Sequence, residues 1–267
     1  MSKTPVSWLL QTHAFNALDM GRMLVHAANR GWTVHTLQVI PFIHQPIGTV
    51  PRINGPVAIY GLGAAKASRF YGWGPGVWDD YDAFSYKTFL PVIPDLMLNS
   101  DALVVKLSEV SDVVHNTDGP FFLKPAGENK EFPAGLTTRD KFEAWMEKLT
   151  EIDYLIEDDA KNDIDVVVAL PKDIVKEWRV TVVDGAIVSS TLYVPKARRE
   201  LPEAVEAVVR EAISRYEPAP VYVIDVAQTV EGDHLIVEYN SWNSAGFYDG
   251  DIEAMMDAIT AYIERTV

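Results

Sequence analysis

The chain has 267 residues, 48% hydrophobic and 23% charged, with 16 Gly, 16 Pro and no Cys. That length holds one large or two modest cores. The missing cysteine excludes disulfides, thiolate zinc sites, iron–sulfur clusters and a cysteine nucleophile. Against 23 Lys+Arg stand 38 Asp+Glu, a formal charge of −15. Such a field repels polyanions, and no basic run offers counterion release from phosphate, so nucleic acid is not an expected partner. Met1-Ser2-Lys3 and the short apolar stretch Val6–Leu10 lack the pattern of a secretory leader. No window approaches the roughly 18 apolar residues of a membrane span, and the sequence reads as cytoplasmic, with no membrane partner.

The pattern predicts strands at Ser7–Leu10, Thr33–Ile40 and Pro56–Tyr60 and helices at Ala17–Arg30 and Ala64–Phe70. Gly31 supplies the left-handed stop of the first helix. This alternation predicts an open α/β domain over residues 1–98. Gly61-Leu62-Gly63, with Lys66-Ala67-Ser68 after it, lacks both the Walker spacing and a third dinucleotide-type glycine, so it reads as a tight strand-to-helix turn. The glycines and proline of Gly72–Trp78 predict an irregular loop, whose Trp73 and Trp78 either pack locally or form a substrate lid.

Asn99–Val110 reads as a helix capped by Ser100, and Phe121–Lys124 as a strand before the loop Ala126–Gly135. Phe142, Trp145, Met146 and Leu149 form the i, i+3, i+4, i+7 stripe of an amphipathic helix. Val166–Leu170 is a strand that stops at Pro171. Two hairpins flank a helix at Pro202–Tyr216, and the last helix, Ile252–Arg265, lines up Ile252, Met255, Met256, Ile259 and Ile263.

The second hairpin joins Val221–Ala227 to Leu235–Asn240. If Glu231-Gly232 form a two-residue loop, Asp225 lies directly opposite Glu238, with Asn240 diagonal on the same face. Like charges so placed destabilise a ladder unless something neutralises them. A hard cation such as Mg²⁺, which takes oxygen ligands, is one solution. A different register, a proton on Asp225 or an arginine beside it are others. The opposite face, Tyr222, Ile224, Val226, Leu235, Val237 and Tyr239, is apolar and predicted to pack as core. The first hairpin turns at Asp184-Gly185. It places Glu177, Arg179 and Thr181 on one face, either solvated or lining a cleft, and Trp178, Val180 and Val182 on the other.

In order, these pieces resemble the ATP-grasp superfamily from about residue 100 to the C-terminus. The similarity rests on Phe121-Phe122-Leu123-Lys124-Pro125 with its following loop, on Val168-Ala169-Leu170-Pro171, on Glu177-Trp178-Arg179-Val180, on Asp225, and on Glu238-Tyr239-Asn240. The run Glu238–Tyr248 and Lys130 of the loop are most similar to a phage and bacterial clade of that superfamily. The resemblance implies an α/β (α+β) fold, with the N-terminal domain followed by two lobes with antiparallel sheets, residues 99–172 and 173–267. It implies ATP held between the lobes with Mg²⁺, Mn²⁺ being an alternative, on Asp225, Glu238 and Asn240. Lys106, Lys124 and Lys130 would contact the nucleotide, backbone groups of Ala169 and Leu170 adenine, and Glu177 the ribose. Arg179, Lys130 and Asn243 would be catalytic, Asn243 by contacting the acceptor carboxylate.

The implied reaction joins a small-molecule or peptide carboxylate to an amine through an acyl phosphate. A small-molecule kinase or a nucleotide-binding regulator without turnover are the alternatives. Lys196, Arg198 and Arg199 form a basic cluster that is either solvated or an anion site. His13, His26, His35, His44, His115 and His234 show no paired metal spacing, and no Gly-x-Ser-x-Gly elbow exists. The identity of the acid and amine and the oligomeric state are not legible.

Overall fold

The computed structural model describes residues 4–13, 16–40, 44–129, 131–151, 163–194 and 200–267. The described strands form three sheets. The first holds β1 (Ser7–Gln11), β2 (Val34–Val39), β3 (Pro46–Ile47), β4 (Val57–Tyr60) and β5 (Pro75–Gly76), in the order β3-β2-β1-β4-β5. β1 runs parallel to β2 and β4, as the strand–helix alternation predicts. Helices α1 (Ala17–Arg30) and α2 (Leu62–Tyr71) supply the alternating layers. α1 ends at Gly31, whose φ of 70° lets its N–H reach back to the Ala28 carbonyl at 3.1 Å. Pro75-Gly76 corrects the expectation of a wholly irregular loop, because the two residues pair in parallel with Val57 and Ala58. Trp78 is buried against Tyr262 rather than poised over a substrate, and Trp73 stacks on Tyr71 at 4.7 Å.

The chain then crosses through the short helix α3 (Tyr86–Phe89) to a second sheet. This sheet holds β6 (Leu103–Lys106), β7 (Phe121–Pro125), β8 (Gly135–Thr137) and β9 (Asp165–Ala169), in the order β6-β9-β7-β8. β6 overturns the helix expected at Asn99–Val110. Leu103, Val104, Val105 and Lys106 pair antiparallel with Val168 to Asp165, and their β-branched run prefers that pleated edge to a helix. Only the short α4 (Val110–Val113) is α-helical in that stretch. In α5 (Arg139–Glu151) Phe142 is buried, with Trp145 and Met146 packed beside it; the Leu149 side chain lies outside the described residues.

The third sheet is wholly antiparallel. It holds β10 (Ile174–Val183), β11 (Ala186–Val194), β12 (Val221–Thr229) and β13 (His234–Ser241), in the order β11-β10-β12-β13. Asp184 and Gly185, at φ 51° and 71°, make the two-residue turn their sequence calls for. One face of the sheet packs Trp178, Val180, Val182 and Ile224 under α6 (Glu203–Arg215), together with Phe84, Phe89 and Met97 of the crossing segment. The other face meets α7 (Ile252–Thr266), whose Ile252, Met255, Met256, Ile259 and Ile263 are buried as their spacing predicts. α7 also packs on α1 and on β4, and this joins the third sheet to the first.

The β12–β13 turn differs from the expected two-residue loop. Thr229 N–H donates to the Asp233 carbonyl at 2.9 Å, so Val230-Glu231-Gly232 form a three-residue loop with Gly232 at φ 99°. Beside it Val226, Ala227 and Gln228 pair with Ile236, Leu235 and His234. A bulge at Val237 then restores the pairing of Asp225 with Glu238 and of Val223 with Asn240. The bulge also changes the core face: Ile236 is fully buried, while Leu235 and Val237, expected inside, are only half-buried.

Candidate active site

Register alone brings the polar groups together. Arg179 of β10 lies opposite Asp225 of β12, which lies opposite Glu238 of β13, and Asn240 shares their face. Arg179 donates Nε–H and Nη2–H to the two Asp225 carboxylate oxygens at 2.8 and 2.6 Å, a buried bidentate pair. Its Nη1 donates to the Gly246 carbonyl at 3.0 Å. Lys124, at the end of β7 in the second sheet, reaches across to Glu238 and lies over the Tyr86 ring. Of the solutions open to the opposed carboxylates, the ligand-free structure uses cations of the chain itself, Arg179 for Asp225 and Lys124 for Glu238.

Burial works against charge on Lys124, but Glu238 and neighbouring groups outweigh it and hold the ammonium firmly protonated. Arg179 is kept charged in the same way, with Asp225 opposing the effect of burial. Glu177, two residues from Arg179 on the same face, is different. Burial pushes its carboxyl up to about 7, with Asp225 and Glu238 adding to the rise and a hydrogen bond from Tyr193 opposing it.

The donor set suits a hard divalent cation. Asn240 Nδ2 donates to Asp225 Oδ2 at 3.1 Å and to Glu238 Oε1 at 3.0 Å. The amide NH₂ thus stands where a cation bridging those oxygens would stand, and a turn of the amide would present its oxygen instead. Among the described residues no three His, Cys, Asp or Glu side chains converge on one point. A cation here would rest on two carboxylates and an amide, leaving coordination positions for water or phosphate.

A cavity of about 460 Å³ opens between the second and third sheets, lined by Lys124, Gly127, Glu128, Phe132, Glu238 and Tyr239 among others. The loop over it is anchored at its start. Glu128 is buried and accepts from Ser244 at 3.0 Å, and Asn129 accepts from Lys66 of α2 at 3.0 Å. Gly127 lies so close to Tyr81 that a Cβ would come within 2.3 Å of its ring. Lys130, Lys196, Arg198 and Arg199 lie outside the described residues. Ala169 is buried at the end of β9, with Leu170 exposed just beyond it. Lys106 ends β6 and pairs with Asp165 at 3.0 Å, so it belongs to a strand terminus rather than a helix face.

Asn243 departs from its expected role. Its Nδ2 donates to the carbonyls of Ile59 and Gly76 at 2.7 and 3.0 Å, and its Oδ1 accepts from Trp78 N–H at 2.7 Å. The side chain is fully buried and joins the end of β13 to the first sheet. No capacity remains for an acceptor carboxylate.

Sequence patterns alone miss Glu128, Ser244, Tyr193 and Tyr248. A carboxylate in a phosphate-type loop is the available signal for Glu128. The tyrosines have none, because their positions depend on a bulge and on a loop conformation.

The profile of an ATP-grasp domain, family 3 of its clade, matches residues 70–259, and the chain belongs to that ATP-grasp family. Solved structures share its fold at low identity. D-cycloserine synthetase DcsG superposes at a TM-score of 0.64 with 16% identity, over 97% of this chain and 99% of the other. The D-alanine–D-alanine ligase from Bacillus anthracis gives 0.61 with 12% identity over 98% of each chain. The ATP-grasp ligase PsnB, complexed with a phosphomimetic variant of minimal precursor, Mg and ADP, gives 0.56 with 15% identity, over 98% of this chain and 99% of the other. None of the curated protein sequences compared with the chain matches it.

Proposed function

We propose that this chain is an ATP- and Mg²⁺-dependent ligase that joins a carboxylate to an amine, releasing ADP and phosphate. One observation carries the reading: the site's charges are self-paired in the form a magnesium–nucleotide complex would replace. Lys124 and Arg179 are cations suited to phosphate, and Asp225 and Glu238 are hard anions suited to Mg²⁺. Each pair costs desolvation, and well-packed apolar residues would be as stable or more so, which points to a use beyond stability. Structural relatives include ligases of amino acids and of a precursor peptide, which supports a small-molecule or peptide substrate.

In-line phosphoryl transfer needs mainly positioning and neutralisation of the phosphate oxygens. Lys124, rigid at a strand end and backed by Tyr86, would hold phosphate oxygens once it leaves Glu238. Asp225, Glu238 and Asn240 would hold Mg²⁺, which screens phosphate charge and orients the transferred group. Arg179 would stabilise charge on that group and on the acyl phosphate. The substrate carboxylate takes the γ-phosphoryl group as ADP leaves; the amine then attacks the acyl carbon, phosphate departs and the amine loses a proton. Lys106 and Lys130 would add nucleotide contacts, Ala169 and Leu170 would present backbone groups to adenine, and Glu177 would face the ribose. Mn²⁺ would substitute for Mg²⁺ on the same oxygen donors.

The test is ADP release with paired acids and amines. Release that needs both supports a ligase, and release that needs only one acceptor shows a kinase. No release with any pair, together with no nucleotide binding, contradicts the reading.

A further inference from the structure

Across the functional face the order is fixed by the strands. The cavity and Lys124 lie beside Glu238 of β13, then come Asp225 of β12 and Arg179 of β10, and last β11. A nucleotide in the cavity therefore points its terminal phosphoryl toward Arg179, and in-line transfer puts the attacking group on the β11 side. Two tyrosines stand there. Between Glu177↔Val194 and Trp178↔Leu192 the β10–β11 ladder slips by one residue, and that bulge aims Tyr193 onto the functional face. The Tyr193 ring stacks on Tyr248 at 4.5 Å and 9°. The Arg179 guanidinium lies 4.9 Å from the Tyr248 ring and 5.7 Å from that of Tyr193.

Tyr248 is held at φ 53°, a left-handed conformation that a bulky residue adopts only where its surroundings impose it. Tyr193 covers one face of its ring, yet the residue is 50% exposed. The result is a stack of two rings open at one end, beside the one cation that the transfer geometry places at the acyl group.

We infer that Tyr248, backed by Tyr193, is a specificity-determining residue that receives a flat aromatic side chain of the carboxylate substrate. The acid's carboxylate points to Arg179 and its ring continues the tyrosine stack. Parallel rings gain from offset stacking beyond the area they bury, so an aromatic acid is preferred over an aliphatic one of equal size. This assignment rests on the ligase reading above and names the substrate class of that same site.

The test is thermal unfolding of protein loaded with Mg²⁺ and the β,γ-imido analogue of ATP. Phenylalanine, tyrosine and tryptophan are compared with cyclohexylalanine and leucine, in the wild type, Tyr248→Phe and Tyr248→Ala. The nucleotide-induced shift in each variant shows that it is folded and loaded. The expected result is a further rise with aromatic acids in the wild type and Tyr248→Phe, and about tenfold weaker aromatic binding in Tyr248→Ala. Equal shifts from the aliphatic acids, no shift from any aromatic acid, or a shift that survives in Tyr248→Ala would overturn the assignment while leaving the ligase reading intact. Absence of the nucleotide shift itself in the wild type would overturn both.

Discussion

The two ion pairs of the site sit on neighbouring strands and behave as different devices. Arg179 and Asp225 face each other within one sheet, both sealed from water, and are joined by two short hydrogen bonds. Lys124 and Glu238 belong to different sheets and meet across a cavity, with about a quarter of the Glu238 side chain exposed. The first pair is a fixed element whose geometry the ladder sets. The second is a bridge that a ligand can enter and divide. Burial inside one sheet thus gives permanence, and pairing across a cleft gives exchange.

The largest expected effect breaks the fixed pair. Arg179→Met leaves Asp225 buried without its counter-charge, and such a loss costs about 3–5 kcal/mol. Urea unfolding should show that drop, and Arg179→Met/Asp225→Leu should recover part of it while ADP release stays absent. Full stability in the single variant would mean that the pair is not the sealed unit described.

The exchangeable pair should respond differently. Lys124→Met costs little stability but removes the response to Mg·ATP, which for a folded-state ligand at a hundred times its Kd is about 2.7 kcal/mol. Calorimetric titration of the variant checks this, and unchanged affinity would contradict the assignment of Lys124 to phosphate.

Asn243 supplies a control outside both pairs. Asn243→Ala strands the buried Trp78 N–H and the Ile59 and Gly76 carbonyls, at about 1–3 kcal/mol. Nucleotide affinity should remain, since the amide secures the junction of the first and third sheets. A raised KM for the acid with unchanged stability would restore the role first expected of it.

The smallest effect is one of pH. Glu177 has a folded-state pKa of about 7, above its usual 4.5. The folded state therefore binds more protons than the unfolded state between those values. Its contribution to stability is fully present below about pH 4.5 and is lost as pH rises through 7. Glu177→Gln should flatten that decline by about 1–2 kcal/mol, measured as the difference in stability between pH 5 and pH 8.

What is legible in the sequence follows from local chemistry. The Asp184-Gly185 turn, the Gly31 stop of α1 and the apolar stripe of α7 each depend on residues a few positions apart. The pairing of Asp225 with Glu238 is legible too, yet the path to it differs, because a three-residue turn and a bulge at Val237 together restore the register that a simple turn would give. Leu103–Lys106 escapes a local reading because Ser100 mimics a helix cap, while the strand forms only when β9, some sixty residues later, offers its edge. Asn243 escapes for a similar reason: its partners at 59, 76 and 78 are invisible to any local pattern. The charge pairing of the site is open to inspection as a problem, with an arginine among the solutions the pattern allows, but Lys124 reaches Glu238 from a different sheet.

The central claim is that a magnesium–nucleotide complex replaces the site's own ion pairs, and its most direct test is thermal unfolding with ATP alone, Mg²⁺ alone and both, in the wild type and Glu238→Gln. The account predicts a large rise only with both ligands present, and its loss in Glu238→Gln. An equal rise with ATP alone, or no rise in the wild type with both, would contradict it.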